Sequence, residues 1–423
     1  MELLLKNGYV VDNANNFEGV ADILVDGGVI VKCAPNITES ADKMIDCTGK
    51  TVIPGICDMH VHFRDPGQTH KEDIISGCEA AAAGGVTAVA CMPNTVPVID
   101  NAEVVKYVLD KAKNAKVKVY PIGCITKGQN GEELCDFIEL REAGCVAVSD
   151  DGKPVRSARM MARAMTRAHY AGLRVISHCE DPEIIAGGIM NHGKVSKELG
   201  VKGMHRTSED TQTAREIILA EDMEIPIHIA HVSTSTSMMM VRFGAKYGAM
   251  VTSETCPHYF TMTDEMLRTR DADYRMNPPL RTEHDVLAIT EGVCDGTIDC
   301  IVTDHAPHTP EEKADFETAP NGVVGLETSL AATLTELYHT GKISLSRIVR
   351  LMCVNPRKIL GIPGGDFSEG SPADITIFDP NEEWVVDPEK FRSKSRNSCF
   401  KGRKLKGRVK MTVVDGKVVY EDK

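Results

Sequence analysis

The sequence predicts an α/β fold: a (β/α)8 TIM barrel with a small β-domain built from both chain termini. Three observations point to it. Eight short apolar runs alternate with helix-like stretches through the middle of the chain. Asp-Gly pairs sit between β-branched runs at both ends. Histidines and aspartates collect at the C-terminal ends of the apolar runs, where such a barrel gathers its reactive groups.

The terminal elements come first. "ADILVDGGVIVKC" turns at Asp26-Gly27-Gly28, and "MTVVDGKVVYED" turns at Asp415-Gly416. Neither hairpin makes a stable sheet alone, so the two arms are expected to pair. That places residues 1–53 and 363–423 in the small β-domain and 54–362 in the barrel. The barrel strands are read at Gly55–His62, Val86–Met92, Val117–Ile122, Cys145–Ser149, Arg174–His178, Ile227–His231, Met250–Glu254 and Cys300–Thr303. Amphipathic stretches such as "SARMMARAMTRAHYAG" and "TSMMMVRFGAKYGA" lie between them. A doubly wound sheet is the alternative, but it gives no reason for eight repeats. No G-x-G-x-x-G or Walker A sequence is present to support it.

Composition narrows the function. A net charge of −13 argues against a nucleic-acid partner, which demands clustered cations. The basic run "KSRNSCFKGRKLKGRVK" is expected to be a solvated face or an edge strand. None of the 14 cysteines forms a C-x-x-C pair, as expected of free thiols in a reducing cytoplasm. No signal peptide opens the chain and no apolar stretch is long enough to span a bilayer. A cytoplasmic protein without membrane contact is expected.

The strand ends carry the chemistry. His60 and His62 share one strand face because side chains alternate with period two. Asn94 follows the second strand, Asp150 and Asp151 the fourth, His178 the fifth and His231 the sixth; Asp304, His305 and His308 follow the eighth. His60 with His62 can bind one metal ion and His178 with His231 a second, with Asp151 between the pairs to bridge and Asp304 closing the ring; adjacent Asp150 and Asp151 face opposite ways if the strand continues, and the Asp-Gly turn can reorient either, so position alone leaves the choice between them open. Nitrogen and oxygen ligands with open positions suit catalytic Zn2+. Two such ions, about 3.5–4 Å apart, can share a hydroxide. His228 falls three residues before His231, on the opposite face, and is read as structural. Arg64, beside His62, can bind a carboxylate bidentately. Residues Thr309 to Gly325 form a charged loop that either closes over substrate or is a plain connection.

"DMHVHFRDPG", "AVACMPNT", "SDDG", "HCED", "HVST", "ETCPHYF", "MNPPLR" and "TDHAPH" together resemble the type I (bacterial) dihydroorotases of the amidohydrolase superfamily. The resemblance covers essentially the whole chain. It implies a zinc-dependent, reversible cyclisation of N-carbamoyl-L-aspartate to (S)-dihydroorotate, the third step of de novo pyrimidine synthesis. It implies two Zn2+ per subunit, bridged by Asp151 and a hydroxide, with His60, His62, Asp151, His178, His231 and Asp304 as ligands and Asp304 as the catalytic acid/base. It implies substrate contacts at His62, Phe63, Arg64, Asn94, Asn277, His308, Gly322 and Val323, although "VV" in "NGVVGLET" departs from the aromatic-Gly pair expected there. A homodimer and aspartate transcarbamoylase are the protein partners it suggests. Hydantoinases, allantoinases and type II dihydroorotases are similar but bridge their metals with a carboxylated lysine; "CVAVSDDG" offers none, and Lys153 falls past the turn. A cyclic amidase of that kind, or a non-catalytic partner of aspartate transcarbamoylase, is the alternative function.

Overall fold

The computed structural model describes residues 2–422. Its centre is a parallel barrel of eight strands: β1 (Ile56–Val61), β2 (Val86–Cys91), β3 (Lys118–Gly123), β4 (Ala147–Val148), β5 (Arg174–Ser177), β6 (Ile227–Ile229), β7 (Val251–Thr255) and β8 (Cys300–Ile301). Each pairs with the next in chain order. A parallel bridge between Val61 and His305, and a 2.8 Å bond from His62 N–H to the His305 carbonyl, bring β8 back to β1. Strands covered on both faces read as unbroken apolar runs, which is why β1 and β2 are buried at every position.

Two strands are much shorter than expected. β4 stops at Val148 because the Asp150-Asp151-Gly152 turn begins at once. β8 stops at Ile301, and Asp304 then adopts φ +49°, which no strand can continue through. The amphipathic stretches become the helices Ala158–Tyr170 and Ser235–Lys246, capped by Ser157 and Thr234 through bonds to the third helical N–H. Among the described residues no helix is long and apolar enough to cross a membrane.

The terminal arms form one sheet. Leu3–Asp12, Phe17–Asp26 and Val29–Ala34 come from the N-terminus; Ile375–Val385, Lys404–Val414 and Lys417–Glu421 come from the C-terminus. Thr51–Pro54 joins them, parallel to Leu3–Asp12 and antiparallel to Ile375–Val385. Both hairpins turn as the Asp-Gly signal requires: Gly27 and Gly28, like Asp415 and Gly416, have positive φ at both central positions.

The Lys and Arg of the basic run do reach solvent, but the run is not an edge strand. Lys404–Val414 lies inside the sheet, between two C-terminal partners. The preceding residues Ser393, Ser395, Asn397, Ser398, Cys399 and Phe400 are buried. Counting charge missed this, because the Lys and Arg of the run alternate with residues that face inward.

Arg357 fastens the barrel floor. It is 1 % exposed. Its Nη1 donates to the carbonyls of Gly55 (2.6 Å) and Cys353 (3.1 Å), and Nη2 donates to Thr87 Oγ1 (2.9 Å). Asp374 of the β-domain lies 3.9 Å away. Arg357→Met should remove these bonds and leave the Gly55 carbonyl buried without this donor. A loss of about 3 kcal/mol in urea unfolding is expected, with little change in the turnover of the folded fraction.

Candidate active site and metal centre

The six side chains read as metal ligands meet at the C-terminal mouth of the barrel, although they come from five strands and span residues 60 to 304. Asp151 is the common point. Its carboxylate oxygens lie 3.5 Å from His60 Nε2, 3.4 Å from His62 Nε2, 3.2 Å from His178 Nδ1 and 3.5 Å from His231 Nε2. The ligand atoms form two overlapping triads, His60-His62-Asp151 and Asp151-His178-His231. Asp304 stands 3.0 Å from His62 Nε2 and 3.5 Å from His60 Nε2. Asp150 takes no part. It accepts from Ile125 N–H (2.8 Å), Thr126 N–H (3.1 Å) and Thr126 Oγ1 (2.5 Å), so its oxygens tie the turn to the β3 loop. Burial pushes Asp150 up to about 6 against those bonds.

Three of these rings are held from behind. His60 Nδ1 meets Glu254 Oε1 at 2.5 Å, His62 Nδ1 meets Asn94 Oδ1 at 2.8 Å, and His178 Nε2 meets Glu180 Oε2 at 3.2 Å. An acceptor behind one ring nitrogen keeps the proton there and leaves the other nitrogen's lone pair facing the centre. The residues therefore fit a metal. His60 Nε2 and Asp151 Oδ1 are buried without a hydrogen-bond partner, and His178 Nδ1 lies 2.7 Å from His231 Nε2. Buried carboxylates make the cleft demand positive charge. Against the opposing effect of burial, Glu254 and Asp151 hold His60 well above its ordinary value, and Asp151 raises His178 to about 10. Despite its own burial, Asp151 is held well below the usual carboxylate range by His60 and His178. A divalent cation meets the same demand.

Backbone strain aims three of the side chains. Arg64 (φ +60°), His231 (φ +32°) and Asp304 (φ +49°) each sit just past a strand end in the left-handed region. Such a residue costs about 1–3 kcal/mol and persists only where its surroundings demand it.

Beside the histidines lies a cationic wall. Arg64 is buried; its Nε donates to the Pro307 carbonyl at 3.3 Å, its Nη2 is 3.3 Å from His308 Nε2, and it makes no ion pair among the described residues. His308 Nε2 is 3.0 Å from the Asn321 carbonyl, which selects the Nε2–H tautomer and lets Nδ1 accept from Lys71 Nζ at 3.4 Å. Burial, with Arg64, Lys71 and Lys313 adding to it, pushes His308 down to about 3, so the ring is neutral.

The remaining substrate candidates fall in different places. The Phe63 ring is in the core, edge-on to His305 and directly over Gly77, so only its main chain can face a ligand. Asn277 donates to Glu180 at 2.6 Å and keeps a buried, unpartnered Oδ1. Val323 is buried and bridges His305, while Gly322 (φ +138°) packs so closely that a Cβ would lie 2.8 Å from Ala306. The Thr309–Gly325 loop is pinned by Lys313, whose Nζ donates to the carbonyls of Arg275 (3.2 Å), Pro320 (3.0 Å) and Gly322 (3.0 Å).

Sequence reasoning missed Glu254 and Glu180. Glu254 lies one residue before the end of β7, and its second oxygen bonds His228 Nε2 at 3.1 Å, so His228 shares this carboxylate with His60 and does not stand apart from the cluster. An acid at the end of a barrel strand was the available signal. Lys153 is exposed beyond the turn, away from this cluster.

Residues 49–237 match the family described as dihydro-orotase-like. The whole chain aligns at 51 % identity with 99 % of a dihydroorotase from Acetivibrio thermocellus, and at 50 % identity with the full length of one from Citrifermentans bemidjiense. Among solved structures, an L-hydantoinase (dihydropyrimidinase) from Arthrobacter aurescens superposes with TM-score 0.89 at 27 % identity, covering 99 % of this chain and 96 % of its own.

The two adjacent aspartates should separate cleanly. Asp151→Ala should lose most bound metal when loaded with Zn2+, measured by atomic absorption. Asp150→Ala should keep its metal but melt lower, because two buried N–H groups lose their acceptor, at about 1–3 kcal/mol for each group left unsatisfied.

Proposed function

The chain belongs to the dihydroorotase family of the amidohydrolase superfamily, and from that premise we propose the substrate, the metal and the part each residue plays. The enzyme acts as a dihydroorotase. The reaction proposed is the reversible closure of N-carbamoyl-L-aspartate to (S)-dihydroorotate, within pyrimidine synthesis. The observation that carries the reading is one carboxylate, Asp151, within 3.5 Å of four histidine rings, three of them held with a lone pair inward.

We assign His60, His62, Asp151, His178, His231 and Asp304 as ligands of two zinc ions. Bound there, zinc supplies a Lewis acid for the ring carbonyl and lowers the pKa of water toward neutrality. The chain's own residues do the rest. Asp304 takes the proton of the attacking water and delivers it to the ring nitrogen as the amide bond breaks. In the closing direction it removes the proton from the ureido nitrogen. Arg64 is a buried guanidinium without an ion pair among the described residues, and the substrate's unreactive carboxylate completes it. Neutral His308 and the loop at Gly322-Val323 line the same side. Asn94 spends its amide oxygen on His62, so its amide nitrogen is the atom left for substrate. Asn277 and the Phe63 main chain complete the pocket.

Several features support the finer assignments. A type I enzyme is favoured because β4 runs into Asp151 where the lysine-bridged relatives carry a modified lysine. Arg64 favours a ring bearing a free carboxylate over hydantoin or allantoin. The 14 cysteines are all unpaired, in keeping with a cytoplasmic location. We place the boundaries at 53/54 and 362/363, although the sheet strand Thr51–Pro54 still pairs with Ile375–Val385 through Pro54 before the chain enters β1.

Activity on dihydroorotate, hydantoin and allantoin should be compared on protein of known zinc content. Dihydroorotate should be turned over fastest, with about two zinc per chain; a preference for hydantoin overturns the substrate assignment. Arg64→Met should cost about 2–4 kcal/mol in kcat/KM for dihydroorotate, and Arg64→Lys should not restore it fully. Asp304→Asn should keep most zinc yet slow ring opening and closure by at least about 10²-fold. Near-normal turnover of that variant would assign the proton transfer to another group.

A further inference from the structure

A strap from Phe391 to Phe400 leaves the β-domain and reaches the mouth of the barrel. It carries three serines and one asparagine, and all four are buried, while Arg392 and Lys394 reach solvent. Buried polar groups must find partners, and these find them on the mouth loops. Ser395 Oγ donates to the Lys71 carbonyl at 2.8 Å, and Lys394 N–H donates to Glu72 at 3.2 Å; both partners lie in the loop that follows Arg64. Beyond them, Cys399 and Phe400 pack into one apolar cluster with Val323 and Val324.

Asn397 stands at the centre of the strap. Its Oδ1 accepts from His308 N–H at 3.2 Å. Its Nδ2 donates to the carbonyls of Ala306 (3.2 Å) and Gly322 (3.0 Å). Its own carbonyl accepts from Val324 N–H at 3.0 Å. All four partners are main-chain groups, so their donor or acceptor character is fixed and the amide can sit only one way round. One side chain from the β-domain thus joins the segment after Asp304 to the loop at Gly322.

We propose that Asn397 is a positioning residue for substrate binding, holding the His308 backbone and the Gly322 carbonyl in register. The inference rests on the reading of His308 and Gly322-Val323 as substrate contacts. The geometry leaves little slack for another arrangement. Gly322 already lies against Ala306, and the His308 ring bonds the carbonyl of Asn321, one residue before Gly322. A shift of either segment therefore turns the ring that faces the Arg64 pocket. No metal ligand touches Asn397, so its loss should act on affinity for substrate and leave zinc in place.

Asn397→Asp keeps the shape but sets an oxygen against two carbonyls, and Asn397→Ala removes the three side-chain bonds. Both should raise KM for dihydroorotate about tenfold or more, with kcat changed less than about threefold and zinc content as in the wild type. A lower melting temperature with KM unchanged would mean a purely structural role and overturn the proposal. His308→Ala, run in parallel, separates the two layers. If it leaves KM unchanged, the substrate-contact reading fails. If it raises KM while the Asn397 variants do not, the positioning role alone fails. Should neither Asn397 variant fold, hydrogen exchange on the zinc-loaded wild type decides. Saturating dihydroorotate should slow exchange of the His308 and Val324 amides together with residues 393–400, and unchanged exchange there overturns the proposal.

Discussion

One carboxylate shared by four imidazoles is the constraint around which the barrel mouth is organised. Asp151 follows the shortest class of strand in the barrel, yet its oxygens must lie within 3.5 Å of rings from β1, β5 and β6. A shift of about 1 Å is enough to undo such an arrangement. The turn that carries it is accordingly tied down by its neighbour. Asp150 spends both its oxygens on the β3 loop and so fixes where Asp151 points. Two adjacent residues of identical chemistry do different work because one faces backbone donors and the other faces ring nitrogens.

The cost of gathering so many ionisable groups in a buried cleft is met by an outer layer. Glu254, Asn94 and Glu180 each take the outward nitrogen of one histidine, which decides the tautomer and hence which lone pair is available. Glu254 reaches further, through His228 to Thr252 at 2.8 Å, so the orientation of His60 is anchored in the packed interior. The strained conformations of Arg64, His231 and Asp304 belong to the same design. Each directs a side chain into the mouth that an ordinary extended backbone would send elsewhere.

The β-domain is more than a cover for the barrel floor. At the bottom Arg357, bonded to Gly55 and to Thr87 of β2, lies 3.9 Å from Asp374 of the β-domain, and at the top the Phe391–Phe400 strap joins the β-domain to the mouth loops. Arg64 and Asp304 thus sit on loops whose far sides are braced, directly or through neighbours, by residues from the far end of the chain. A loop-built site gains the rigidity of a sheet in this way.

The sequence by itself determined the fold class and the strand ends at which the candidate ligands gather. Short unbroken apolar runs, amphipathic stretches of period 3.6 and Asp-Gly turns are local properties, and each is written in consecutive residues. Strand ends marked by His60, His62, Asp151, His178, His231 and Asp304 were legible for the same reason; that His228 reaches the same Glu254 carboxylate as His60 was not. The tertiary structure decided what depends on contacts between distant segments. It separated Asp150 from Asp151, a choice that rests on the position of Thr126 and of four rings. It buried the Phe63 ring, and it placed Glu254 and Glu180 behind their histidines. It also turned a basic C-terminal run, unremarkable by charge count, into the brace of the barrel mouth. Periodicity tells which way a side chain leaves its own strand; it carries no information about which distant backbone carbonyl will be waiting there.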